Sequence, residues 1–463
     1  VVGCGGRGTG AVVQALKADD NIELVAMADA FEDRLQGSLV NIVKEMGETK
    51  KVNVSKKNQY VGFDAAEKAM DQADVVILAT PPGFRPQHFE YAIANGKHVF
   101  MEKPVATDVP GVRKVLAAAK LAKEKKLNVV VGLQRHYQDS YLAALDQLKQ
   151  DKIGKIVSGQ VYWNSAGVWV RERQPGQTEL EYQMRNWYYF NWLCGDHILE
   201  QHIHNIDVAN WFIGEYPISA QGMGGRQVRT GKDYGEIFDH HFVEFTYPSG
   251  AVIASQCRHQ PDTMRKVSEF FQGTKGTVST AGDKAVLKGW DGSTIFEHRG
   301  KDDPNPYQVE HIKLFESIRN GGVISNAENG AKSTMTAILG RMATYSGKVV
   351  NWDEAMKSET SYKVYENAKQ TAQREDVMSG FGNNGGEEFL SFLQTGEGLV
   401  IAKDNSWKNW YDDISGKMVK IQNQDGSWNG YHCITSPVFC TATCLLILSI
   451  ENDLQNLQTM GGS

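Results

Sequence analysis

Short apolar runs recur along the first third of the chain, each set off by a stretch whose apolar residues fall at helical spacing. Val75 to Ala79, Val99 to Met101 and Val129 to Gly132 have the length and β-branched content of fully buried strands, and the segments preceding them read as amphipathic helices. Strand and helix alternating over residues 1–132 predict a doubly wound parallel sheet. In such sheets a ligand lies beyond the carboxyl ends of the strands. The residues just after each strand are therefore the ones to watch: Thr80-Pro81-Pro82, Glu102-Lys103-Pro104 and Gln134-Arg135-His136. After a helix over Tyr141 to Gln150 the texture changes to longer alternating strands, Ile156 to Trp163, His241 to Tyr247, Val252 to Cys257 and Ser268 to Gln272. These predict an open, mostly antiparallel sheet with one face buried, with Tyr247 to Gly250 as a hairpin turn. A helix over His197 to Phe212 interrupts the strands, and a late helix over Ala331 to Tyr345 is expected to pack back on the first domain. The expected fold class is α/β: the doubly wound sheet over 1–132, an α+β domain with a large mostly antiparallel sheet over 133–375, a linker over 376–386 and a small helical module over 387–463.

The chain opens on Val1-Val2-Gly3-Cys4-Gly5-Gly6-Arg7-Gly8, followed by a helical pattern over Ala11 to Lys17 and an apolar strand over Ile22 to Ala28 that ends in Asp29. Gly3 permits the turn out of a strand, Gly5 lets the backbone approach a pyrophosphate, and Gly8 lets the helix pack closely on the sheet. The helix N-terminus then presents unpaired N–H groups to the phosphates. With Asp29 at the distance where a carboxylate meets the adenosine ribose, this is a dinucleotide-binding fingerprint. The carboxylate accepts from the ribose hydroxyls and repels a 2′-phosphate, which favours NAD over NADP.

Composition adds limits. A chain of 463 residues has room for two or three cores, and a net charge of -6 without a basic block gives no reason to expect nucleic acid as a partner. Six irregularly spaced cysteines do not form a disulfide framework. The longest apolar stretch near the end, Val438 to Ile450, is too short to span a bilayer. Because the chain begins inside its first strand without Met, a natural N-terminus is expected to lie upstream.

The fingerprint, Ala28 to Phe31, Ala79 to Pro82, Gly96 to Val99, Glu102-Lys103-Pro104, Glu200 to Asp207 and Gly340-Arg341 through Trp352 together resemble the glucose-fructose oxidoreductase, inositol dehydrogenase and MocA family, from Val1 to about Glu359. The resemblance implies a Rossmann domain followed by a substrate domain whose sheet mediates homo-oligomers, and hydride transfer on a sugar or polyol. Trp187 to Trp192, Gly195-Asp196-His197 and Trp352-Asp353-Glu354 resemble a branch common in polysaccharide-degrading bacteria, which leaves periplasm and cytoplasm both open as locations. In the resembled family the lysine of Glu-Lys-Pro, here Lys103, hydrogen-bonds the reacting hydroxyl and the nicotinamide side.

Oxidising an alcohol needs a base for the hydroxyl proton as the hydride leaves. Glu200, His204 and Asp207 stand at i, i+4 and i+7, one face of a helix, and His204 is the natural base. Glu200 stands where the family carries mostly Asp, so orienting the base and binding a substrate hydroxyl are both open roles for it. The structural alternative is a surface pair on a helix. Pro104 holds Lys103 extended and aims it, and its charge suits a developing alkoxide. The expected catalytic set is Lys103, His204 and Glu200. The expected cofactor-binding set is Gly3, Gly5, Gly6, Arg7, Gly8, Asp29, Arg34, Thr80, Pro81, His88, Glu102 and Lys103, and the expected substrate-binding set is Arg135, His136, Trp187 and Asp207. The run Trp187 to Trp192, with Arg171, Arg173 and Arg185 upstream, suits a sugar platform and core packing equally. His197, Glu200 and His204 have helical spacing compatible with metal ligation, but not in the zincin order, and no metal is expected.

Two further readings of function stay open: an NAD-dependent glycosidase working by transient oxidation and elimination, and a non-catalytic NAD- or sugar-binding protein. In the tail, Gln422 to Trp428 resembles the repeat of the squalene cyclase and prenyltransferase toroid, flanked by helices over Glu387 to Ile401, Trp407 to Ile421 and Val438 to Ile450. One repeat cannot close a toroid. The tail therefore reads as an appended module, dispensable for catalysis, with Cys440 and Cys444 as core thiols and His432 and Cys433 nearby.

Overall fold

The strands predicted from buried apolar runs form, in the computed structural model, a parallel sheet: β3 (Val75–Leu78), β4 (His98–Met101) and β5 (Val129–Val131) pair in that order. The structure describes residues 1–47, 49–359, 387–401, 406–428 and 437–454. The expected linker 376–386, and His432 and Cys433, lie outside the described residues. Val2 bridges in parallel to both Leu78 and Ala28, so the opening residues are the strand between β3 and β1 (Met27–Asp29). β1 in turn pairs with β2 (Gln59–Val61). The strand expected over Ile22 to Ala28 is shorter than its apolar run; Leu24 makes only an isolated bridge to Val52.

The second sheet has nine strands in the order β13-β12-β11-β10-β6-β9-β8-β7-β14. In chain order these are β6 (Ile156–Ser165), β7 (Ser219–Gly225), β8 (His240–Thr246), β9 (Val252–His259), β10 (Lys266–Gly273), β11 (Gly276–Ala281), β12 (Lys284–Gly289), β13 (Thr294–Arg299) and β14 (Val350–Asn351). Its strand pairings are antiparallel except β6 with β9. Alternation decides the buried face: His241, Val243 and Phe245 of β8, Ile253, Ser255, Cys257 and His259 of β9, and Glu269 and Phe271 of β10 all point inward. Against this face lie the helices Ile203–Ile213 and Ala327–Ser346. The second helix also reaches the first sheet, where Thr334 Oγ1 accepts from Val105 N at 3.2 Å and Arg341 donates to the Thr107 carbonyl at 2.8 Å.

The helix expected over His197 to Phe212 is broken. It runs as His197–Glu200, then a turn at Gln201 and His202, then Ile203–Ile213. The reasoning that put Glu200, His204 and Asp207 on one continuous helix face is corrected accordingly.

The two sheets belong to a single unit made of Val1–Tyr60, Ala66–Gln174 and Gln183–Ser361; a second unit collects Val61–Ala65, Pro175–Tyr182 and the described residues after 386. In the second unit, Trp428 is buried and donates from Nε1 to the Met418 carbonyl at 2.9 Å. A turn closed by Asn423 N on the Ser427 carbonyl delivers it there, and Ile414, Cys440, Cys444 and Ile447 are buried in the same unit. Leu180 of the inserted segment donates to Glu397 at 3.2 Å. Among the described residues no helix is long and apolar enough to cross a membrane.

Candidate active site

The glycine fingerprint is readable atom by atom. Gly3 has φ +92°, and a Cβ there would lie 2.5 Å from Thr80 N; a Cβ on Gly8 would lie 1.9 Å from the Gly3 carbonyl oxygen. Gly5 and Gly6, by contrast, face open space, with no atom within 4 Å of an added Cβ. Close packing at the first and last glycines and clearance at the middle ones is the arrangement a pyrophosphate needs at the start of the helix Gly6–Ala18. At the end of β1, Asp29 accepts from Cys4 N at 2.7 Å and from Phe31 N at 2.9 Å, which fixes the carboxylate beside the fingerprint. Burial pushes its carboxyl above the ordinary range. Arg34, half-buried in the next helix, is close enough to oppose that shift electrostatically.

Two arginines pair across long stretches of the chain. Arg7 turns toward carboxylates of the protein: Nε donates to Glu102 at 2.5 Å and Nη2 to Glu310 at 3.1 Å, with the guanidinium over the Phe100 and Tyr307 rings. It joins two buried acids, Glu102 and Glu310, at the start of the first helix. Burial, with Glu102 beside it, pushes the Glu310 carboxyl well above the carboxylate range. Arg185, for which a sugar platform and packing are equally open from sequence, bonds Asp33 at 3.1 and 3.2 Å and covers the Phe31 ring at 4.0 Å. That places it at the nucleotide end of the cleft, next to the loop after Asp29.

After β3, Thr80 Oγ1 and His88 Nδ1 share a hydrogen bond of 3.2 Å, and Pro81 is half-buried at the head of the same turn. Arg85, which the sequence reading passed over, is buried and donates to the Thr80 and Pro104 carbonyls, tying the carboxyl ends of β3 and β4 together. Burial pulls its guanidinium down to about 10.

Lys103 follows β4 by two residues. Its ammonium donates to the Glu200 carbonyl oxygen and lies 3.4 Å from Glu200 Oε1. The break in the helix makes this possible: His204 N bonds the Gln201 carbonyl at 3.5 Å, which leaves the Glu200 carbonyl to Lys103. Burial raises the Glu200 carboxyl, and Lys103 opposes it. His204 sits one turn on, buried, its ring stacked on Trp163 with centroids 5.9 Å apart and its Nδ1 without a hydrogen bond. Burial, then the charge of Lys103, hold it well below the usual histidine range, so it is neutral and able to accept a proton.

The residues expected to bind substrate divide. Asp207 is saturated: its Oδ2 lies 2.6 Å from His136 Nε2, and Oδ1 accepts from Asn329 at 3.0 Å and Ser333 at 2.7 Å. Arg135 pairs with the buried Glu269, which also accepts from Tyr141, Asn205 and Thr280. Both are members of buried networks, as buried charges need partners. His136, oriented by Asp207 and stacked on Trp211 at 3.9 Å, stays partly exposed. Trp187 is half-buried among Trp169 and Tyr188, with centroids 5.8 and 5.7 Å away. Tyr188 is buried with its hydroxyl unpartnered, and the charge of Glu200 adds to the burial that raises its pKa.

A pH dependence follows. His202, His204, His259 and His311 are buried, burial is the leading cause that lowers each, and His311 is pulled down to about 3. Below about 6.5 the unfolded chain binds protons at these positions that the folded chain refuses, so stability falls with acidification and is flat from this source above that value. Urea unfolding midpoints at about pH 7.5 and about pH 5 check it: the acidic midpoint is expected to be clearly lower, and equal midpoints refute the neutral buried histidines.

Residues 1–133 match the NAD-binding Rossmann fold of the GFO/IDH/MocA oxidoreductase family and residues 141–279 match that family's C-terminal domain. An inositol 2-dehydrogenase of Rhizobium meliloti is 24% identical over 280 residues, 59% of this chain and 72% of the relative. A glycosyl hydrolase family 109 protein of Shewanella putrefaciens is 21% identical over 452 residues, 95% of this chain and 84% of the relative. A scyllo-inositol dehydrogenase from Lactobacillus casei, solved with NAD(H) and scyllo-inositol, superposes with a TM-score of 0.56 at 21% identity, covering 76% of this chain and 98% of that one, which shows the shared fold. The glycine fingerprint, the Glu-Lys-Pro segment after β4 and the two matched domains are parts of one pattern, and the chain belongs to the GFO/IDH/MocA family of NAD-binding oxidoreductases.

Proposed function

We propose that this protein is an NAD-dependent oxidoreductase that moves a hydride between a sugar or polyol hydroxyl and nicotinamide. The observation that carries this reading is the pairing of Lys103, fixed by the Glu200 carbonyl, with a buried His204 one turn on from Glu200, held neutral by burial and by Lys103. The lysine stabilises the alkoxide that develops as the hydroxyl loses its proton, and the histidine takes that proton. NAD, when bound, supplies the hydride acceptor. Gly5, Gly6 and the N-terminus of the following helix would hold its pyrophosphate, and Asp29 its adenosine ribose. His136 and Trp187, both partly exposed, are the side chains left to contact a sugar. The second reading, transient oxidation followed by elimination of an aglycone, is favoured by the match to the family 109 glycosyl hydrolase over 95% of this chain.

Incubating the protein with NAD and panels of polyols, sugars and aryl glycosides separates the readings. Stoichiometric reduced cofactor supports the first. Aglycone release with no net reduced cofactor supports the second, and NAD binding with neither leaves a binding protein.

Cofactor choice makes a separate prediction. Asp29→Ala removes both the ribose acceptor and the charge that repels a 2′-phosphate, so NAD affinity is expected to fall about tenfold while NADP affinity holds or rises. Fluorescence titration of both cofactors measures this, and equal affinities of the unaltered protein for NAD and NADP refute it.

We further infer a homo-oligomer formed through the outer face of the nine-stranded sheet. Met223, Phe242, Tyr162 and Phe270 share that face by register, and Met223 is 71% exposed.

A further inference from the structure

Behind the helix that carries Glu200, and apart from Lys103 and His204, lies a second cluster to which the mechanism gives no role. Asp196 caps the helix His197–Glu200 at φ +77°, a backbone region costly for a residue with a side chain. One ligand atom each from Asp196, His197 and His241 lies within 4.8 Å of the others, and all three residues are buried. Asp196 Oδ1 is 2.9 Å from His197 Nδ1 and 3.2 Å from His241 Nε2.

The contact to His241 is close but lacks the alignment of a hydrogen bond, and the Nε2 atoms of both His197 and His241 are left without a hydrogen-bond partner. Asp196 Oδ1 and His241 Nε2, 3.2 Å apart, have about the spacing of two ligands on adjacent corners of a tetrahedral zinc site, about 3.3 Å. His197 Nδ1 is held by the Phe238 carbonyl at 3.1 Å, so Nε2 is the nitrogen that His197 offers to an ion. The outer partners are also those of a metal site. Thr344 Oγ1 bonds His241 Nδ1 at 2.9 Å, orienting the ring, while Tyr345 and the Phe238 amide donate to Asp196 Oδ2 at 2.6 and 3.0 Å. Cys257 adjoins His197, and His259, with both ring nitrogens unpartnered, stacks on His197 with centroids 4.4 Å apart.

We propose that Asp196, His197 and His241 bind a divalent transition-metal ion, zinc by donor chemistry, as a closed structural site. One carboxylate and two imidazoles suit zinc or cobalt, whereas magnesium and calcium take oxygen ligands. The cluster is sealed from solvent, so the ion enters as the chain folds. It joins β8 to the helix ending at Glu200 and takes no part in the hydride step. The sequence grouped His197 with Glu200 and His204 instead; Glu200 faces Lys103, and the true partner, His241, comes from a strand far along the chain.

The test is the metal content of the full chain, expressed with zinc or cobalt in the medium and dialysed against buffer. Zinc retained at about one ion per chain is expected, with d–d bands of a tetrahedral site in cobalt-grown protein. His241→Gln is expected to lose the ion and the bands, whereas Glu200→Gln, outside the cluster, keeps both. Should His241→Gln fail to fold, the unaltered chain still decides: protein that is metal-free as purified, and takes up neither zinc nor cobalt on refolding, overturns the proposal and leaves the cluster a hydrogen-bonded hub.

Discussion

His204→Ala and Lys103→Ala are each expected to lower turnover about a hundredfold or more while NAD affinity stays within a few-fold of the unaltered protein. His204 is held neutral by burial and by the charge of Lys103. The base form is thus available across the neutral range, and the acidic limb of the rate profile should lie below about 6.5. Removing Lys103 takes away the cation that lowers the histidine, so Lys103→Ala is also expected to move that limb upward. Lys103→Arg keeps the charge but not the compact ammonium, and only partial rescue is expected. Single-turnover rates and cofactor titration with a substrate that the unaltered protein oxidises measure both effects. Near-normal turnover in either alanine variant would place the chemistry on other residues.

The largest expected effect on stability comes from a residue that the pattern of the chain marks only as a polar position in a strand. Glu269 is buried on the inward face of β10 and accepts from Arg135, Tyr141, Asn205 and Thr280. Glu269→Ala leaves the Arg135 guanidinium charged, buried and without its carboxylate, a loss of about 3–5 kcal/mol. Glu269→Gln keeps one acceptor oxygen, enough for Tyr141 and Thr280 or for Asn205, and should cost less. Replacing Arg135 and Glu269 together by apolar residues should cost less than either single change, since no lone charge is then left inside. Urea unfolding of the parent and these variants checks the order, and an alanine variant at 269 within about 1 kcal/mol of the parent would contradict it.

Much of this was legible in the chain because its strongest signals are local. The glycine spacing, the apolar runs of β3, β4 and β5 and the acidic end of β1 each state a backbone requirement within a few residues, and the structure meets each. Lys103 was readable for the same reason, fixed between a strand end and a proline. What escaped the reading was pairing over long separations. Arg7 finds Glu310 across 303 residues and Arg185 finds Asp33 across 152, so neither guanidinium could be assigned its partner from spacing. The parallel pairing of β6 with β9 inside an otherwise antiparallel sheet has no signature in alternation, which reports faces and not neighbours. The helix break at Gln201 was missed because apolar periodicity continues through it.

That break has a bearing on how position 200 tolerates change. Lys103 is moored to a main-chain oxygen, which every residue type supplies, and only secondarily to the carboxylate. Substitutions at 200 can therefore alter acidity, reach and substrate preference while the lysine keeps its place. A replacement that restored a continuous helix through Gln201 and His202 would do the opposite, withdrawing that oxygen into a helical bond and releasing the lysine with every side chain of the site still present.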